Sequence, residues 1–270
     1  MGYSQGLRGA EQSWRYFGTN DLKPRRRETE RTRRGFERVR RAEQEYAKGL
    51  RGIARHIGEL ARGMAPDSPD ELADLEQQLR DYGDFLSPWA EKHAARMIAD
   101  VSRRDEAVWA ELAKTMSRSL RQEILSAPTG LLLRDMLSEN VKLIKSLPIE
   151  AAERVHALTL EGLTSAKRPE EIAREILRSG EVSIGRANTI ARTEVARTSS
   201  GLVMARAIHV GSDGYIWRTA KDSDVRESHR KMQGKFVRWD EPPTLDNLVG
   251  HAGQLPNCRC YPEPVIPEED

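Results

Sequence analysis

The sequence predicts an α+β protein that is mostly helical, and three observations carry that reading. Apolar residues recur at helical spacing through most of the first 210 positions. Runs rich in β-branched and aromatic residues appear only afterwards, in Tyr215–Thr219 and Lys235–Trp239. Hydrophobic residues make up 38% of the 270 and charged residues 32%, a balance that suits slender helices better than a thick β-sandwich. The expected architecture is a long-helix bundle or hairpin first, then helices packed on a small antiparallel sheet.

Residues 1–22 are polar and glycine-rich, with Trp14, Tyr16 and Phe17 as a lone aromatic cluster suited to anchoring a protein partner. A basic helical arm follows over 23–147. Its first helix carries Phe36, Val39, Tyr46, Leu50, Ile53, Ile57 and Leu60 on one stripe and stops near Gly63. Ser68-Pro69-Asp70-Glu71 is a helix start with the makings of a capping box, and Leu72, Leu75, Leu79, Tyr82 and Leu86 form the stripe behind it. Ser87-Pro88 repeats the signal ahead of Trp89, Met97, Val101, Val108, Leu112, Met116, Leu120 and Ile124. Pro128-Thr129-Gly130 then breaks the chain before a segment from Leu131 to Leu147.

Pro148 is the expected domain boundary. Beyond it the pattern predicts helices over 149–164, 169–179 and about 183–210. A turn at Gly211–Gly214 leads to a strand, a short helix at 222–232, a second strand and a loop over 240–257. A last extended stretch, Cys258 to Val265, ends in an acidic tail at 266–270.

Charge divides along the chain. Residues 1–62 hold 16 Lys/Arg against 8 Asp/Glu, which leaves 28 against 34 for the remainder. An N-terminal excess of this kind points to an acidic or polyanionic partner, or to a solvated helix face laced with Glu–Arg pairs. Arg25, Arg26, Arg27, Arg31, Arg33 and Arg34 are the candidate contacts to DNA phosphate or to an acidic protein surface. No aromatic interleaves that arginine core, so base stacking is not expected. No apolar run approaches the length needed to span a bilayer, and no apolar stretch follows Met1 as in a secretory signal. The two cysteines sit one residue apart, where a disulfide is geometrically awkward, so a reducing compartment inside a cell is expected.

Chemistry-bearing residues gather in the last third. Ala191-Arg192-Thr193-Glu194 precedes Arg197, which lies one helical turn beyond Glu194 and can pair with it. Trp217, Asp222, Asp224, Arg226 and His229 follow, then Asn257-Cys258-Arg259-Cys260. On a helix Asp222 and Arg226 would stand at i and i+4, as a buried polar network or as an acid–base pair. His229, His251, Cys258 and Cys260 make a two-cysteine, two-histidine set suited to a structural zinc ion, with Asp222 or Asp224 able to replace a histidine. Two reduced cysteines packed along a strand is the alternative, and both remain open. The sequence contains no Walker-type phosphate loop, Gly-x-Ser-x-Gly, His-Glu-x-x-His or dinucleotide-binding glycine pattern.

The order and spacing of these blocks, over about residues 150–265, resemble the phage Mu protein F-like (SPP1-type) minor head, or head morphogenesis, family. The matching positions are Arg192, Thr193, Glu194, Trp217, Asp222, Arg226, His229, Asn257, Cys258, Arg259 and Cys260. The resemblance implies that 148–265 is a Mu F-like domain without a catalytic residue. It also implies a virion protein assembled in the host cytoplasm, taken into the head in few copies. Portal, capsid and scaffold proteins are its implied partners, with non-specific contact to packaged DNA and roles in assembly, packaging or ejection; no membrane partner is implied. Larger family members carry a long C-terminal extension, so toxin-like or enzymatic modules are not expected here. Two other readings are a metal-dependent nuclease or hydrolase built on Asp222, His229, Cys258 and Cys260, and a non-virion DNA-binding module.

Overall fold

A computed structural model describes residues 39–64, 69–114, 122, 126–164 and 169–267. The aromatic cluster at 14–17, the arginines at 25–34, Phe36, Ser68, Met116, Leu120, Ile124 and the last three residues of the acidic tail lie outside these. Six helices precede the sheet among the described residues: α1 (Arg40–Met64), α2 (Pro69–Phe85), α3 (Ser87–Ala113), α4 (Gly130–Thr164), α5 (Pro169–Leu177) and α6 (Ser179–His209). Then come β1 (Gly214–Thr219), the one-turn α7 (Glu227–Arg230), β2 (Phe236–Arg238), β3 (Thr244–Leu245), β4 (Leu248–Val249) and β5 (Cys260–Pro264). The architecture is the expected one, helices with a small antiparallel sheet toward the C-terminus.

The apolar stripes become a shared core. Tyr46, Leu50, Ile53 and Ile57 of α1 are buried with Leu75 and Leu79 of α2, Met97 and Val101 of α3, and Ile144 and Leu147 of α4. Ile176 of α5 and Ile190, Val195 and Leu202 of α6 complete it. Small residues let α1 and α6 approach closely. A Cβ on Gly180 would lie 2.7 Å from the Cα of Gly58, so the two backbones meet where neither has a side chain.

Three helix boundaries differ from expectation, the simplest being that α6 starts at Ser179 and not near 183. Pro148 lies inside α4, which runs unbroken through it. A mid-helix proline forfeits one backbone hydrogen bond and crowds the preceding turn. Here Ile144, Leu147, Ala151 and Ala152 are buried on both sides of it, and Gly83 of α2 leaves room against its ring. Packing therefore overrides the local break. Ser87 does not cap α3 either: its hydroxyl donates to the Asp84 carbonyl at 3.1 Å, serving the end of α2. Leu86 alone separates the two helices, and its N–H still bonds the Tyr82 carbonyl at 3.1 Å.

A second core lies against the sheet. Trp109 and Leu112 from the end of α3, Val203 and Ala207 from the end of α6, and Val210 just beyond it pack with Tyr215, Trp217, Val237, Trp239, Leu255, Cys258 and Cys260. The sheet has the order β2-β1-β5 with both neighbours antiparallel, and Trp217 pairs with Pro262, Thr219 with Cys260. Strand β1 alternates strongly buried and half-buried positions, as a strand with one face on a core must. Residues 240–257 are not wholly loop. Asp246 and Asn247, both at positive φ (52° and 63°), make the two-residue turn of the β3–β4 hairpin. No helix among the described residues is long and apolar enough to cross a membrane.

Candidate functional site: a buried polar network around His229, Cys258 and Cys260

Helix α6 supplies the first layer. Glu194 is buried, accepts from Arg197 Nη1 at 3.1 Å and from Asn140 Nδ2 at 3.4 Å, and Asn140 in turn accepts from the Tyr46 hydroxyl at 2.9 Å. Burial raises the Glu194 carboxyl above its ordinary range, while the Arg197 charge opposes that shift. Arg197 also donates from Nε to the Gln254 carbonyl at 2.8 Å, which ties the helix to the loop before β5. Thr193 Oγ1 accepts the Asn257 backbone N–H at 3.0 Å, and Arg192 reaches back to Glu43 of α1 at 3.4 Å. The Arg-Thr-Glu block thus spends its three polar side chains on four different neighbours, Glu43, Asn257, Arg197 and Asn140.

The segment after β1 folds differently from expectation. Helix α7 begins only at Glu227, so Asp222 and Arg226 do not share a helix face. Asp222 pairs with Arg259 instead, and Asp224 holds the other guanidinium nitrogen of Arg259 at 2.6 Å. Arg226 donates to the Pro256 carbonyl and lies 3.7 Å from Asp246. In the extended residues leading into β5, Arg259 reaches the aspartates while Cys258 and Cys260, on either side of it, are buried in the core.

His229 closes the cluster. Its Nδ1 lies 3.4 Å from Cys258 Sγ and 3.5 Å from Cys260 Sγ, and all three residues are at most 5% exposed. Trp217 stands edge-on to the imidazole with ring centres 5.6 Å apart. On the far side, His229 Nε2 faces the Asp246 carboxylate at 3.8 Å. Both cysteines are free thiols rather than a disulfide. Hydrogen bonding from the Cys260 thiol pulls Cys258 down toward thiolate, and the same contact pushes Cys260 up. The Gly253 N–H adds a contact to Cys258 Sγ at 3.4 Å. Gly253 is at φ +86°, and a Cβ there would lie 2.0 Å from Ser200 Oγ, so glycine is required twice over.

His251 is elsewhere. The Tyr215 oxygen accepts from the Ala252 N–H at 3.1 Å and donates toward His251 Nδ1 at 3.3 Å. His251 Nε2 then donates to the Trp239 carbonyl at 3.1 Å, which engages both ring nitrogens. Burial holds the imidazole below its ordinary range, against the pull of its bond to the Trp239 carbonyl. The four-residue set drawn from composition therefore reduces to three, with Asp246 behind them.

Sequence reasoning missed Asp246, Gly253, Asn140 and the buried pair Arg206–Asp105, which closes at 2.7 Å. Asp246-Asn247 was readable as a turn dipeptide; no sequence signal joins Asp105 to Arg206.

Taken as chemistry, the arrangement is an α+β domain whose charged and thiol side chains bind one another across elements. Residues 153–262 match the family described as phage Mu protein F like protein, so the resemblance read from the sequence stands over this segment. An uncharacterized protein of Haemophilus influenzae is 30% identical over 47% of this chain and 28% of its own length. The minor head protein GP7 of Bacillus phage SPP1 is 25% identical over 44% of this chain and 42% of its own. An Enterococcus faecalis protein named NAD(+)--arginine ADP-ribosyltransferase EFV is 32% identical over 43% of this chain and 26% of its own. The matched stretch is less than half the length of each of these relatives. No solved structure gives a significant match.

Proposed function

We propose that the chain is a phage or prophage minor head protein, taken into the particle in few copies through contact with the portal. The observation that carries this is the Mu F-like match over 153–262 together with the similarity to a minor head protein of phage SPP1. The site supports a non-enzymatic reading. Each matched side chain is used in a contact between elements, from Arg192–Glu43 to Arg259–Asp222. The ADP-ribosyltransferase relative shares only about a quarter of its length, so the activity in its name stays with that protein.

In this reading the domain is an assembly module and the basic N-terminal arm reaches the portal, other capsid or scaffold proteins, or packaged DNA. DNA contact through Arg25–Arg34 would be unspecific and strongly weakened by salt. The protein would be made in the host cytoplasm and act in packaging or ejection. Quantitative mass spectrometry of purified particles tests the proposal. A few copies per particle, close to the portal's own number, supports it; absence from both procapsids and mature heads overturns it.

A further inference from the structure

We infer that His229, Cys258 and Cys260 bind one zinc ion, with Asp246 orienting the His229 ring from behind. Three donor atoms, one from His229 and two from the Cys258-Arg259-Cys260 run, all lie within 4.8 Å of one another. A tetrahedral zinc with ordinary bond lengths holds a nitrogen and a sulfur about 3.6 Å apart. The Nδ1–Sγ separations of 3.4 and 3.5 Å fit that spacing. Two sulfurs and an imidazole are a soft donor set, which selects zinc over magnesium or calcium.

The far side of the imidazole makes the case stronger. For Nδ1 to offer a lone pair, the ring proton must sit on Nε2. That nitrogen is buried, has no hydrogen-bond partner, and faces the Asp246 carboxylate at 3.8 Å. A carboxylate that hydrogen-bonds the far nitrogen of a histidine ligand fixes its tautomer and raises its basicity, and Asp246 is the carboxylate placed to close that short remaining gap. Asp246 is held in place by the hairpin turn and by Arg226 at 3.7 Å. The Gly253 N–H also points at Cys258 Sγ, where it stabilises a thiolate.

The ion would join α7, the loop before β5 and β5 itself, adding to the ties that Arg226 makes to Pro256 and Arg259 to Asp222 and Asp224. Its role is structural, because the three donor residues are at most 5% exposed. Three of the described residues supply donors, one short of a closed tetrahedral set. This inference does not depend on the head-protein reading.

The test is metal content of the full chain purified without chelator and then titrated with zinc chloride. We expect one zinc per chain, and at least a tenfold loss of affinity in C258S and in H229A. D246N should weaken zinc about 10- to 100-fold, as loss of such an orienting carboxylate does, without unfolding the domain. H251A should keep full stoichiometry. A folded wild-type chain that takes up less than a tenth of an equivalent overturns the proposal, as does an H251A loss equal to that of H229A. A Cys258–Cys260 disulfide in freshly purified protein also overturns it.

Discussion

Arg206 and Asp105 are each only 4% exposed at the side chain and close at 2.7 Å, with Trp109 Nε1 also donating to the carboxylate at 3.1 Å. Burial pushes the Asp105 carboxyl up to about 6, against the pull of Arg206. Between its ordinary value of 3.8 and about 6 the native state therefore holds more protons than the unfolded chain. The stability this group contributes is complete below that window and is lost as pH rises through it, on the order of 3 kcal/mol. Urea unfolding of wild type and D105N at several pH values should show the wild type losing stability relative to the variant from pH 4 to 6. A constant difference would refute this. Removing one partner is a separate matter. R206M strands a buried carboxylate and should cost about 3–5 kcal/mol at neutral pH, measured by the same unfolding. Neither residue was singled out from the sequence, since a pairing across 101 positions leaves no local pattern.

Among the elements, α1 and α6 form the principal helix pair, and their two glycines set how closely they sit. G180A places a methyl group 2.7 Å from the Gly58 Cα, where backbone cannot yield, and should destabilise by about 1–3 kcal/mol. G185A, on the same helix but with open space around it, should stabilise by roughly 0.5–1 kcal/mol. Thermal melts of the two variants should move in opposite directions; equal shifts would show that the close approach is not tight. The same scale shows which local signals survive packing. The stripes in α1 and α2 became core faces almost residue for residue, because a helical period needs only a partner. The break at Pro148 did not survive, since buried neighbours on either side outweigh one lost hydrogen bond.

Across the whole molecule, α3 and α6 each contribute to both cores, Met97 and Val195 to the helical one, Trp109 and Val203 to the one on the sheet. Glu194 and Arg197 add a polar strut from Asn140 in α4 to Gln254 beside the cysteines. The helical layer and the sheet should therefore unfold together. Far-ultraviolet circular dichroism and tryptophan fluorescence, the latter led by Trp217 and Trp239, should give coincident urea transitions. Separated midpoints would mean two independent units.

The amino-acid order by itself determined the helical stripes, the two main strands and the blocks that mark the Mu F-like segment. Each of these is written in spacing or in short contiguous runs. Only tertiary structure decided that His229 meets both cysteines, that His251 turns to Tyr215 and Trp239, and that Asp222 finds Arg259 instead of Arg226. Such partners are chosen by which elements pack together and which way each side chain faces, and neither is encoded within any one segment.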